Sequence, residues 1–154
     1  MGHPERWPSA VCSKFPKPIQ LRREPSWRAC AARFGAAGCG LWAVREGGRV
    51  VASVGVVKRD ARTMELVRLH VRADRRRRGY GRSLLRMVME RAIAEGAARV
   101  VLSTPSADSE GRSFYESAGF VVEGVRVIEV GGLPLELAEL SQSVEAHLGR
   151  RGST

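Results

Sequence analysis

The residues best placed to do chemistry in this chain form a basic run interleaved with glycine, Arg72-Ala73-Asp74-Arg75-Arg76-Arg77-Arg78-Gly79-Tyr80-Gly81. Guanidinium groups present forked donors that match phosphate oxygens. Gly79 and Gly81 permit backbone angles, and a close approach, that a Cβ would block. The chemistry this suits is the binding of a phosphorylated ligand. Taken alone, Arg75 to Arg78 also fits a solvated charge run or a nuclear-localisation patch.

The flanking elements favour the ligand. Met64 to Val71 is an apolar, strand-like run ahead of the loop. Arg82 to Glu95 follows it with Leu84, Leu85, Val88, Met89 and Ala92 at helical spacing, and Gly96 suits the helix end. At a helix start the backbone N–H groups point outward and the helix dipole is positive, so strand, loop and helix together suit a phosphate. Two common phosphate motifs are excluded. Leu84 stands where a dinucleotide fingerprint needs its third glycine, and no Gly-Lys-Ser/Thr of a Walker loop is present. What remains is Arg76-x-x-Gly79-x-Gly81.

That spacing resembles the acetyl-coenzyme A signature of the GCN5-related N-acetyltransferases, Gln/Arg-x-x-Gly-x-Gly/Ala, set between a strand and a helix. A second stretch, Ser113-Phe114-Tyr115-Glu116-Ser117-Ala118-Gly119-Phe120, resembles the family's x-Tyr-Glu-x-x-Gly-Phe segment. The resemblance covers roughly residues 41 to 140, and its wording is most like the camello-type branch. It implies an enzyme that uses acetyl-CoA as co-substrate, without a metal. The acetyl group would pass directly to a primary amine in a ternary complex.

The resemblance also implies roles residue by residue. Leu69, His70 and Val71 would pair by backbone groups with the pantetheine arm. Arg76, Arg77, Arg78, Gly79, Tyr80 and Gly81, with Arg82 and Ser83, would hold the pyrophosphate. Tyr115 matches the tyrosine that donates to the departing thiolate; the alternative is a core tyrosine beside Phe114. An asparagine often stands seven residues before that tyrosine. Here it is Asp108, for which helix capping is the expected role.

Counted back from Gly79 without a gap, Glu65 falls where histone-acetylating members keep a catalytic glutamate. Strand alternation puts Glu65, Val67, Leu69 and Val71 on one face and His70 on the other. A carboxylate among apolar neighbours suits a general base. The alternatives are a surface pair with Arg68, Arg62 or another charge, and a proton path through water with no dedicated base.

Composition bounds the partners. At 154 residues the chain is one domain, long enough to bury a core. Its 26 Lys+Arg against 16 Asp+Glu leave a net charge of +10, which calls for an anionic partner: coenzyme A, or in competition a nucleic acid. No aromatics alternate with the basic run as a base-stacking surface requires. Cys12, Cys30 and Cys39 are odd in number and lack metal-ligand spacing, so free thiols are expected. No run is long enough to span a membrane and no signal-peptide pattern opens the chain, which points to the cytoplasm, with the nucleus as the other location. The partner is an amine acceptor, small molecule or protein, and the state a monomer or homodimer. The competing class is a catalytically weak or inactive module binding nucleic acid or an acidic partner through Arg72 to Arg82.

The expected fold is α+β: a mixed, mostly antiparallel sheet of about six to seven strands with a central helix crossover and flanking helices. Residues 1–40 are a shortened N-terminal region, with a strand at Ile19 to Arg22 and a helix from Trp27 to Phe34. The core, 41–140, starts with strands Leu41 to Glu46 and Arg49 to Val57 about Gly47-Gly48. After the loop and long helix come a strand from Arg99 to Ser103 and a helix capped by Asp108 or Ser109 and running to Ser117. Strands Phe120 to Val130 and Leu133 to Leu140 then join through Gly131-Gly132. Residues 141–154 read as a frayed, flexible polar tail.

Overall fold

A computed structural model describes residues 39–152. Six strands, β1 (Gly40–Glu46), β2 (Arg49–Lys58), β3 (Thr63–Val71), β4 (Arg99–Pro105), β5 (Val121–Val130) and β6 (Leu133–Ser143), form one sheet in the order β1-β2-β3-β4-β6-β5. Three helices accompany it: α1 (Tyr80–Ala94), α2 (Ser109–Ser117) and α3 (Val144–Arg151). All neighbours are antiparallel except β3 and β4, which run parallel because α1 crosses between them. This is the mixed α+β architecture expected. The strand at Ile19 to Arg22 and the helix from Trp27 to Phe34 lie outside the described residues.

Paired glycines close two of the hairpins, β1–β2 and β5–β6. Gly47 and Gly48 have φ of 55° and 78°, and Gly131 and Gly132 have 59° and 79°. Two successive positive φ values are what a tight hairpin turn needs, and glycine supplies them without strain. The α1 stripe is buried as its spacing demands: Leu84, Leu85, Val88, Met89 and Ala92, joined by Met87, share one core with Val54, Val56, Met64, Leu66, Val100 and Leu102. Each fully buried side chain of this size stabilises the fold by about 1.5–3 kcal/mol. The long helix is thereby pinned across the sheet, and its N-terminus is fixed where β3 ends.

Two expectations give way. Residues 141–154 are not a frayed tail through most of their length. β6 continues to Ser143, pairing with β4 as far as Arg99, and α3 follows to Arg151. Ser143 Oγ accepts the Ala146 N–H at 2.9 Å and Val144 is buried, so a cap and one buried apolar anchor hold this short helix.

The second correction concerns β3. Gly55 pairs with Val67 but Ser53 with His70, so two steps along β2 answer three along β3. The extra residue lies at Arg68, which has a positive φ of 53°. A bulge of this kind inverts the alternation beyond it. Leu69 and Val71 therefore pack on the core beside Met64 and Leu66. Glu65 and Val67 do not share their face; they share it with His70. The reason is that simple alternation assumes a regular ladder, and β3 is not regular.

Candidate active site

The parallel pairing of β3 with β4 is short. It covers Thr63, Met64 and Glu65 against Arg99, Val100 and Val101, then stops. Beyond Glu65 the two strands part, and the unpaired edge of β3 faces a cleft of about 890 Å³. The cleft collects residues far apart in sequence: Leu69, His70 and Val71 from β3, Arg76, Arg77, Gly79, Tyr80, Gly81 and Arg82 from the loop and α1, and Tyr115 from α2. Glu65 lies at its β3 end. Of the residues singled out from sequence, Arg78 and Ser83 do not line it. The Ser83 N–H bonds to the Gly79 carbonyl at 3.0 Å, the first bond within α1. The Gly81 and Arg82 amides ahead of it have no intrahelical acceptor.

Two glycines shape the loop for different reasons. Gly79 caps α1 with φ of 84° and no side-chain cap bond, and an added Cβ would meet no atom within 4 Å. Its constraint is conformational. Gly81 is constrained by space instead: a Cβ there would stand 3.2 Å from Phe114 Cζ and 3.7 Å from Val71 Cγ2. The arginines divide. Arg75 Nε donates to Glu46 at 2.6 Å and its Nη1 to Asp74 at 3.1 Å, while the Tyr80 hydroxyl donates to the same Glu46. Arg76 Nε donates to the Val71 carbonyl at 3.3 Å. These bonds anchor the loop to β1 and β3.

Tyr115 is 9% exposed and packs edge-on between Phe114 and Phe120 at ring separations of 5.2 and 5.9 Å. Burial, reinforced by the Asp108 carboxylate, pushes its phenol up to about 12. The hydroxyl therefore stays protonated throughout the neutral range and is available as a donor. Asp108 takes the capping role: its carboxylate accepts the Gly111 N–H at 2.9 Å. A Cβ at Gly111 would come within 2.4 Å of that carboxylate. Asp108, Gly111 and Phe114 all line the cleft, and only the three-residue capping interval between Asp108 and Gly111 was a signal for them.

Glu65 makes an ion pair with Arg59. It and Ser103 also line a second cavity of about 290 Å³, with Arg59, Arg99, Arg126, Glu123, Glu139 and Ser141. Glu65 thus stands between two spaces at the point where the strands part. Among the described residues no group of His, Cys, Asp and Glu is arranged to hold a metal, and no helix is long and apolar enough to cross a membrane.

Residues 5–120 match the model of the Acetyltransferase (GNAT) family. The chain belongs to this family. Among GNAT relatives it is 29% identical over 98 residues to N-acetyltransferase 8 of Rattus norvegicus, covering 60% of this chain and 44% of that one. An uncharacterized N-acetyltransferase of Mycobacterium bovis is 29% identical over 87 residues, 56% of each chain. The chain spans about half the length of the curated relatives it matches. Its fold is that of a GNAT family acetyltransferase from Elizabethkingia anophelis with acetyl-CoA bound, at a TM-score of 0.62 and 14% identity, over 82% of this chain and 95% of that one.

Proposed function

We propose that this GNAT chain is an N-acetyltransferase that moves an acetyl group from acetyl-CoA directly to a primary amine. One observation carries the reading: the parting of β3 and β4 joins the glycine loop, the free edge of β3 and Tyr115 in a single cleft. The cradle at Gly79 and Gly81 fits a pyrophosphate, because the helix starts there without a side-chain cap and neither glycine carries a side chain over its first amides. The unpaired β3 edge at Leu69, His70 and Val71 fits the amide-bearing pantetheine arm.

When bound, acetyl-CoA supplies an activated thioester. The chain's residues do the rest. The β3 edge and loop orient the thioester beside Tyr115. The acceptor enters from the smaller cavity, past Glu65 and Ser103. As the amine nitrogen bonds to the acetyl carbon, the carbon–sulfur bond breaks and the sulfur takes the electron pair. Tyr115 steadies that thiolate with a hydrogen bond. Glu65, directly or through water, takes the proton that the nitrogen must lose.

A thermal shift tests the binding. Acetyl-CoA and CoA should raise the melting temperature to similar extents by mass action. Gly79→Asp, which adds a charge and a Cβ at a positive φ, should abolish the shift. Equal stabilisation of parent and variant would show that the loop does not hold the cofactor. Release of free thiol with a panel of amines and peptides then identifies the acceptor.

A further inference from the structure

The backbone of the glycine loop is barely tied to the sheet. The Arg72 N–H donates to the Val51 carbonyl at 2.7 Å, and among the described residues no further backbone bond joins the loop to a strand before α1 begins. The arc from Arg76 to Gly79 also holds two left-handed residues, Arg77 with φ of 63° and Gly79 with 84°. A non-glycine residue persists in that region only where its surroundings over-determine it. Side chains supply the constraint, and one carboxylate collects two of them. Glu46 Oε2 accepts Arg75 Nε at 2.6 Å, just before the arc, and Glu46 Oε1 accepts the Tyr80 hydroxyl, just after it. Glu46 ends β1, 29 positions before Arg75 and 34 before Tyr80, and is not among the residues lining the cleft.

We propose that Glu46 is a positioning residue for the cofactor: by holding Arg75 and Tyr80 it fixes both ends of the arc, and so sets the first amides of α1 where a pyrophosphate needs them. This rests on the reading that the loop holds acetyl-CoA. The Glu46–Arg75 pair is partly enclosed, with side chains 32% and 26% exposed, so water screens it less than an open surface pair. Asp74 accepts Arg75 Nη1 at 3.1 Å and is itself held by Arg72 Nη2 at 2.6 Å. Arg75 is thereby gripped on two sides. Paired with it, the Glu46 charge does not oppose that of a pyrophosphate. An arc set before the ligand arrives binds more tightly than one the ligand must order. The direction of the effect separates two roles for Arg75. If Arg75 were a phosphate ligand held in reserve, loss of Glu46 would free it and strengthen binding. If Glu46 and Arg75 hold the arc, loss of Glu46 weakens binding.

The test measures CoA affinity by titration calorimetry and acetyl-CoA turnover by thiol release, with an amine that the parent acetylates. Glu46→Ala should raise the Kd for CoA and the KM for acetyl-CoA alike, by roughly tenfold, with kcat near the parental value. Glu46→Gln, which keeps one acceptor oxygen and loses the charge, should fall between. In a background already lacking both donors, Arg75→Met with Tyr80→Phe, Glu46→Ala should add nothing further. With no ligand present, trypsin should cut within Arg75 to Arg78 faster in Glu46→Ala than in the parent, as read by mass spectrometry of the fragments. Tighter or unchanged CoA binding in Glu46→Ala overturns the proposal, as does a loss confined to kcat. Gly79→Asp separates this outcome from failure of the underlying reading. If Gly79→Asp abolishes CoA binding and Glu46→Ala leaves it intact, the loop holds the cofactor without help from Glu46. If both variants bind like the parent, or the parent binds no CoA, the loop is not the cofactor site and both proposals fall.

Discussion

Tyr115 and Glu65 illustrate how differently two candidate groups are held. Tyr115 is enclosed by two rings, and its hydroxyl is kept protonated by burial. Tyr115→Phe keeps the ring and removes only that hydroxyl. Acetyl-CoA should still raise the melting temperature, while kcat falls roughly ten- to a thousandfold, the scale of one donor to developing charge. Unchanged turnover would leave Tyr115 a core residue. The same phenol makes an alkaline prediction. Its folded value of about 12 lies above the unfolded value of about 10, so the folded state holds the proton more tightly. Its contribution is full below about pH 10 and is lost as pH rises towards about 12. Urea midpoints should fall through that window more steeply in the parent than in Tyr115→Phe. Glu65 sits in an ion pair with Arg59 where the strands part. If it takes the amine proton, Glu65→Gln loses rate at neutral pH and recovers part of it at high pH, where the free amine is abundant. A pH-independent ratio to the parent would assign the proton to water.

At the scale of elements, two helix starts do different jobs. α1 begins without a side-chain cap, at a glycine, so its first amides have no intrahelical acceptor. α2 begins with Asp108, whose carboxylate satisfies the Gly111 amide. Asp108→Ala should therefore cost about 1 kcal/mol of stability, seen as a lower urea midpoint. Cofactor affinity should change little. A large loss of acetyl-CoA binding at unchanged stability would instead make Asp108 a ligand contact. The β3 bulge is the third device. It turns Leu69 and Val71 into the core and brings His70 round to the face of Glu65.

For the whole molecule, the charge of +10 invites a nucleic-acid reading, but the loop weakens it. Arg75 is paired with Glu46 and Asp74, and Arg72 with Asp74, so the run offers fewer unpaired cations than its composition suggests. Oligonucleotide binding should be weak and should vanish at moderate salt, with acetyl-CoA binding far less affected. Tight, salt-resistant binding to an oligonucleotide would favour a basic binding module instead.

What the sequence by itself determined is what short-range physics decides. Paired glycines place the hairpin turns, the apolar spacing from Leu84 to Ala92 makes α1, and Gly79 and Gly81 mark the loop. Each of these depends on neighbours within a few residues. The bulge at Arg68 and the continuation of β6 to Ser143 did not show, because each rests on a partner strand: Gly55 and Ser53 across the ladder, and β4 alongside β6. Tertiary structure alone also made the cleft. Tyr115 and Gly81 are 34 positions apart, and only the early end of the β3–β4 pairing and the seating of Phe114 against Gly81 bring them to one space.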